Sequence, residues 1–227
     1  MNNLQKAGGV ASIGLGMLFI SYMMLLFIVL PAQGFGPGTL NDPEHGISFL
    51  ATSILPMLID FIYIGMSVAF VLIALALYER LRSVAPDVMQ ISTTAGLIAS
   101  VLFLGYAMIN FVGSPVAVSI YGRDAITGST LYLALRTMAN GLNAAALFAS
   151  GWSILLAGWS AHGSGQWSNL LSYLMIGAGL AMMISFVLLP VGLLGVILAP
   201  VWSIWLGLIF LHNPQNTLAV KLAPDAV

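Results

Sequence analysis

Apolar residues run along this chain in blocks of about 20 or more, separated by short stretches that hold most of the prolines and nearly all of the charge. About 20 apolar residues suffice to cross a bilayer as a helix. On that measure six spans are predicted, near residues 9–31, 49–80, 88–113, 129–158, 168–189 and 192–212. The blocks lack the alternation of barrel strands, and a lipid-exposed backbone must satisfy its own hydrogen bonds, so the spans are read as helices. The expected class is all-α, a polytopic transmembrane bundle of six helices forming a single membrane domain.

Punctuation supports these cuts. Pro31 leads into a Gly- and Pro-rich connector, QGFGPGTLNDPEHG, after which Ser48 is placed to cap the second helix. LRSVAP at 81–86 ends that helix, GSP at 113–115 is expected to open the third connector, and AHGSGQ at 161–166 the fourth. Only LPVG, at 189–192, separates the last two spans. A single kinked helix there would hold roughly 45 residues and reach about 65 Å, twice the hydrocarbon thickness, so two helices are expected. The first block follows a lone Lys6 and exceeds the 7 to 15 residues of a signal-peptide core, so it is read as a retained span. A faint echo links Gly8-Gly9-Val10-Ala11-Ser12 with Gly96-Leu97-Ile98-Ala99-Ser100, which suggests related hairpins.

Short loops set orientation through their basic residues. Lys6, Arg80, Arg82 and Lys221 fall on the side of the N-terminus and Arg123 alone on the other, so both termini are expected to face the cytoplasm, N-in and C-in. Trp159 and Trp167 flank the fourth loop, where an inner aromatic belt would place them.

Composition narrows the classes further. Of 227 residues 60% are hydrophobic and 6% charged, whereas a soluble domain carries roughly a quarter charged residues. The lipid bilayer is therefore the expected partner over most of the surface. Six basic and seven acidic residues form no cluster, which argues against nucleic acid. With no cysteine there is no disulfide, thiolate nucleophile or thiolate metal site.

The most informative stretch is LALRTMANGLNAA at 133–145, which sets Arg136, Asn140 and Asn143 inside an apolar block at helical spacings of four and three. A charge near the bilayer centre costs roughly 2.5–3.5 kcal/mol on insertion scales and normally finds a partner. Asp60 is the one acidic residue away from the ends of a span, and the proposed topology brings it within about 6 Å in depth of Arg136. A polar cluster of Asp60, Tyr63, Ser67, Asn110, Arg136, Asn140 and Asn143 is expected. Three readings of Arg136 stay open: a structural pair with Asp60, snorkelling toward the outer headgroups because helical side chains lean toward their N-terminus, or a functional site.

The same span carries Gly141, Ala145, Ala149, Ser153 and Ala157 at steps of four, a ridge of small residues that lets a helix approach closely. The ridge is expected to pack within the monomer or against another membrane subunit.

Catalytic chemistry finds little support. Asp42, Glu44 and His45 crowd one loop without the spacing of a metal site, and apart from His212 at a helix end no predicted span carries a histidine to ligate haem. There is no nucleophile elbow, no phosphate-binding loop and no dinucleotide fingerprint. No catalytic residue, metal or cofactor is expected. The twelve methionines, Met23-Met24 and Met182-Met183 among them, are read as packing fillers.

The segments AGGVASIG, ALALYERLR, LYLALRTMANGLN and VWSIWLGLIFL together resemble a family of bacterial six-span integral membrane proteins catalogued as a domain of unknown function. The resemblance implies a protein of a bacterial or archaeal inner membrane and carries no assigned site residues. The expected role is non-enzymatic: a structural or accessory subunit, or a binder of lipid or another apolar molecule. A small transporter or channel using Asp60 and Arg136 is the rival.

Overall fold

The computed structural model describes residues 3–36, 39–185 and 188–212. Helix α1 (Asn3–Met24) runs on through a π-helical stretch, Leu25–Val29, to Ala32. A short 3-10 turn at Thr39–Asn41 precedes α2 (Pro43–Thr52), α3 (Leu55–Leu81), α4 (Pro86–Tyr121), α5 (Ala125–Ser164), α6 (Asn169–Ile184) and α7 (Leu189–His212). No strand occurs among the described residues. Five helices are long and apolar enough to cross a membrane, and Asn169–Ile184 is apolar but shorter. Large apolar side chains such as Val10, Val101, Met138 and Leu194 face outward. The molecule is an all-helical membrane protein.

The long helices close into a ring. Each packs on its neighbour in the order α1, α3, α4, α5, α6, α7, and α7 returns to α1. Glycine sets the closeness of two of these crossings. A Cβ on Gly151 would lie 2.5 Å from the Gly179 carbonyl oxygen, and one on Gly207 would lie 2.7 Å from that of Gly9. Lipid tails are as apolar as leucine, so such helices are held by close dispersion contact rather than by expulsion of water. Gly8 and Gly96, the echoed positions, receive Ala76 and Ala74 of α3 from its two sides. Their likeness thus has a packing cause. Inside the ring lie Leu15, Met66, Phe103, Trp202, Leu206 and Phe210, each at most 2% exposed.

Several predicted boundaries move. The second span does not begin at Ser48: α2 starts at Pro43 after Asp42, and an elbow at Ser53, whose hydroxyl accepts from the Leu55 amide, separates it from α3. GSP does not end the third helix, which passes through Pro115 to Tyr121. Contacts beyond the proline sustain it, because Ala117 is buried with Ile47 of α2 and Tyr132 of α5. The fourth helix runs to Ser164 and stops where Gly165 takes φ +63°. The last break falls before LPVG, at Ser185–Leu188, with residues 186–187 outside the described ones. In α1 the π turn precedes Pro31, whose missing N–H and ring cannot fit a regular ladder.

Helix length shapes one end of the molecule. The α4–α5 hairpin rises 11 residues above Asn110 and Arg136, whereas α3 begins five residues above Asp60, a difference of roughly 9 Å at 1.5 Å per residue. The hairpin therefore makes a ledge, and α2 lies on it. Gly46 permits this, because a Cβ there would meet the Tyr132 hydroxyl.

Replacing Gly151 with Val is expected to destabilise the protein by about 1–3 kcal/mol, since the neighbour is rigid backbone. Gly141→Ala, with nothing within 4 Å, should stay within about 0.5 kcal/mol. Thermal unfolding in one mild detergent measures both.

Candidate functional site

Beneath α2, at the connector end, lies a cavity of about 110 Å³. Its polar wall is made by Asp60 of α3, Tyr106, Asn110 and Ser114 of α4, and Tyr132 and Arg136 of α5. Leu40, Phe49 and Leu50 supply apolar wall from the connector and α2. Asp60 is 5% exposed. It has neither hydrogen bond nor ion pair among the described residues, whose two ion pairs are His45 with Asp42 and Arg82 with Glu79. Its carboxyl faces the cavity, where no protein donor among the described residues replaces the water it loses on burial.

Arg136 faces the same cavity but does not meet Asp60. Its Nε donates to Asn41 Oδ1 at 3.2 Å and its Nη1 to the Tyr132 hydroxyl at 3.2 Å. Tyr132 in turn donates to the Leu40 carbonyl at 2.7 Å. The expected Asp60–Arg136 pair is thus replaced by a clamp on the connector. The cause is the lean of helical side chains toward their N-terminus, which carries the guanidinium toward the ledge.

The remaining predicted residues divide. Tyr63 donates to Asn143 Oδ1 at 3.2 Å, lies 3.4 Å from the Tyr22 hydroxyl, and stacks on Tyr106 with ring centroids 4.1 Å apart. Ser67 and Ser100 form a separate buried pair, with Ser100 donating to the Ser67 carbonyl at 2.9 Å. Asn110 lines the cavity and donates to the Tyr106 carbonyl. Asn140 is exposed and joins none of these groups. It sits about 60° round the helix from Asn143, beyond the seam.

The small-residue ridge also divides. Ser153 and Ala157 are buried, Ala149 is half-buried, and Gly141 and Ala145 are exposed. Each step of four turns about 40° past the previous one, so a ridge of this length swings from inside to outside.

Sequence reasoning missed Tyr132, Asn41, Tyr22 and Ser114. The spacing of four between Tyr132 and Arg136 was a usable signal, and placing a helix end at Pro115 hid Ser114. It also counted Arg80 as a loop charge, although Arg80 is 4% exposed, with its guanidinium 5.7 Å from the Trp167 ring centroid and 5.4 Å from that of Phe210. Trp167 is correspondingly buried rather than part of a belt, while Trp159 is 68% exposed. Lys221 lies outside the described residues.

The cavity shares part of its wall with a second, outward hollow. Leu50, Pro56, Asp60, Asn110 and Ser114 are shared with an outward-facing groove of about 580 Å³. Ile54, Met57, Phe111 and Val118 line its apolar length, and Ser53 and Ser119 its rim. On this geometry the site can seat a polar group at Asp60 and an apolar chain along the outer wall.

Comparison with protein-family models, curated proteins and solved structures finds no match in any of the three.

Two outcomes follow from these contacts. Arg136→Met is expected to cost about 1 kcal/mol through the lost connector bonds; in unfolding cycles it should couple to Asn41→Ala and add independently to Asp60→Asn. The second concerns Asp42 and His45 at the start of α2. The His45 ring hydrogen-bonds Asp42, which holds the Asp42 carboxyl below its ordinary 3.8 and raises His45 above its ordinary 6.5. The pair is therefore complete between those limits; it is lost as pH rises through the raised His45 value and as pH falls through the lowered Asp42 value. An NMR titration of His45 should show a midpoint above 6.5 that drops in Asp42→Asn.

Proposed function

We propose that this chain is a six-span protein of a cell inner membrane, with both termini cytoplasmic, that binds a lipid or similar amphiphile at its connector end and catalyses no reaction of its own. The observation that carries the reading is the junction of a small polar cavity with an outward groove at Asp60. A ligand entering from the bilayer can keep its tail in lipid-like surroundings while its head reaches a polar wall. Pockets of this kind, mostly apolar with a few placed polar groups, are the usual form of small-molecule sites. Basic Lys6 and Arg82 at one end against Arg123 at the other favour the cytoplasmic assignment of the termini.

A second reading, as an accessory subunit, rests on a different feature. Ala95, Ile98, Ala145, Phe148 and Trp152 line an apolar hollow of about 760 Å³ between α4 and α5, beside the exposed part of the ridge. Transport through Asp60 is less favoured. Below it Tyr22, Tyr63 and Asn143 bond to one another beside a void of about 60 Å³, and Ser67 bonds Ser100 separately.

Extraction from native membranes in mild detergent, followed by native mass spectrometry, tests the proposal. The expected species is the chain carrying an amphiphile that Ser114→Trp, which fills the groove, removes. A chain that keeps the same adducts after this substitution overturns it.

A further inference from the structure

The polar end of the proposed amphiphile is legible in the chemistry of its seat. We infer that the site selects a head bearing a primary ammonium group, with Asp60 as its counter-ion; this rests on the amphiphile-binding reading above. Among the described residues Asp60 is the single acidic side chain lining either the cavity or the groove; it is 5% exposed and has no hydrogen-bond or ion-pair partner among them. A ligand that brings a cation and N–H donors removes the cost of that isolation, whereas an anionic head would add to it.

Size and depth narrow the class further. The 110 Å³ cavity holds the equivalent of about three or four waters, taking roughly 30 Å³ for each. An aminoethyl end fits that space. A trimethylammonium end has no N–H to donate, so it cannot hydrogen-bond the carboxylate. Arg136 lines the same cavity, but its guanidinium is held toward the roof by Asn41 and Tyr132. The Ser114, Ser53 and Ser119 hydroxyls along the groove are placed to donate to phosphate or ester oxygens behind the ammonium. Ile54, Met57, Phe111 and Val118 then carry the tail. Both an ethanolamine-headed phospholipid and a free long-chain amine present this chemistry.

The test uses the purified full chain in nanodiscs containing ethanolamine-headed and choline-headed phospholipids with identical tails, reading retained lipid by native mass spectrometry. The charge-assisted hydrogen bond predicts a preference for the ethanolamine head on the order of tenfold. Retention should fall stepwise as the head nitrogen is methylated once, twice and three times, a series that needs no mutation. Asp60→Asn should level the two heads, with thermal unfolding in choline-headed discs confirming that the variant is folded. Dodecylamine that displaces the phospholipid shows that ammonium and tail suffice; phospholipid that resists it shows that the phosphate shares in binding, and both results sit within the proposal. Equal retention of the two heads by the unmodified chain, or a preference that survives Asp60→Asn, overturns the ammonium assignment. If both heads are retained equally yet are lost together in Ser114→Trp, the amphiphile site stands and only its selectivity fails. Retention of neither head removes both.

Discussion

Contact between helix backbones at glycine is the constraint on which this molecule rests. In lipid there is little to gain from hiding one apolar side chain against another, so adhesion depends on how closely two helices approach. At Gly151 with Gly179, and at Gly9 with Gly207, the main chains touch. The second crossing also joins the first helix to the last, which makes the assembly a closed ring. Closure gives the interior polar groups a shared protein environment. Tyr63 accordingly bonds Tyr22 and Asn143, and Ser67 bonds Ser100.

The ring is tight along most of its length and loosens where its helices differ in height. Because α4 and α5 outrun α3, the chain between α1 and α3 has a shelf to cross, and Tyr132 fixes it there by bonding Leu40 and receiving Arg136. The guanidinium is used as a tie for the roof, which leaves Asp60 beneath without a counter-charge. One arrangement thus explains both the ordered connector and the uncompensated acid. It also explains why a roofed cavity exists at this end.

Legibility followed length and amplitude. Helix as the structural class, the turns at LRSVAP and near AHGSGQ, and the nearness of Asp60 and Arg136 to one cavity were all readable, because long apolar blocks and rare charges leave few alternatives. Proline misled at Pro115, where packing of Ala117 against α2 and α5 outweighs the break that local preference favours. Periodicity misled at Asn140 and Gly141, because a face followed at steps of four rotates steadily out of contact. The Asp60–Arg136 pair was inferred from matching depth alone. Depth does not record which way a long side chain leans, nor that Asn41 and Tyr132 stand nearer. Glycine crossings left no mark separable from ordinary apolar sequence.

The brevity of α6 has a bearing on the surrounding membrane. Its 16 residues, Asn169–Ile184, rise only about 24 Å, some 6 Å less than a typical hydrocarbon layer. In the six-span arrangement proposed above, the mismatch is borne by lipid, which thins locally or tips the bundle toward that flank. The tall α4–α5 hairpin favours the opposite adjustment. A protein so lopsided in hydrophobic height imposes a gradient of bilayer thickness around its circumference, and acyl chain length becomes a control on its tilt and on where in a membrane it settles.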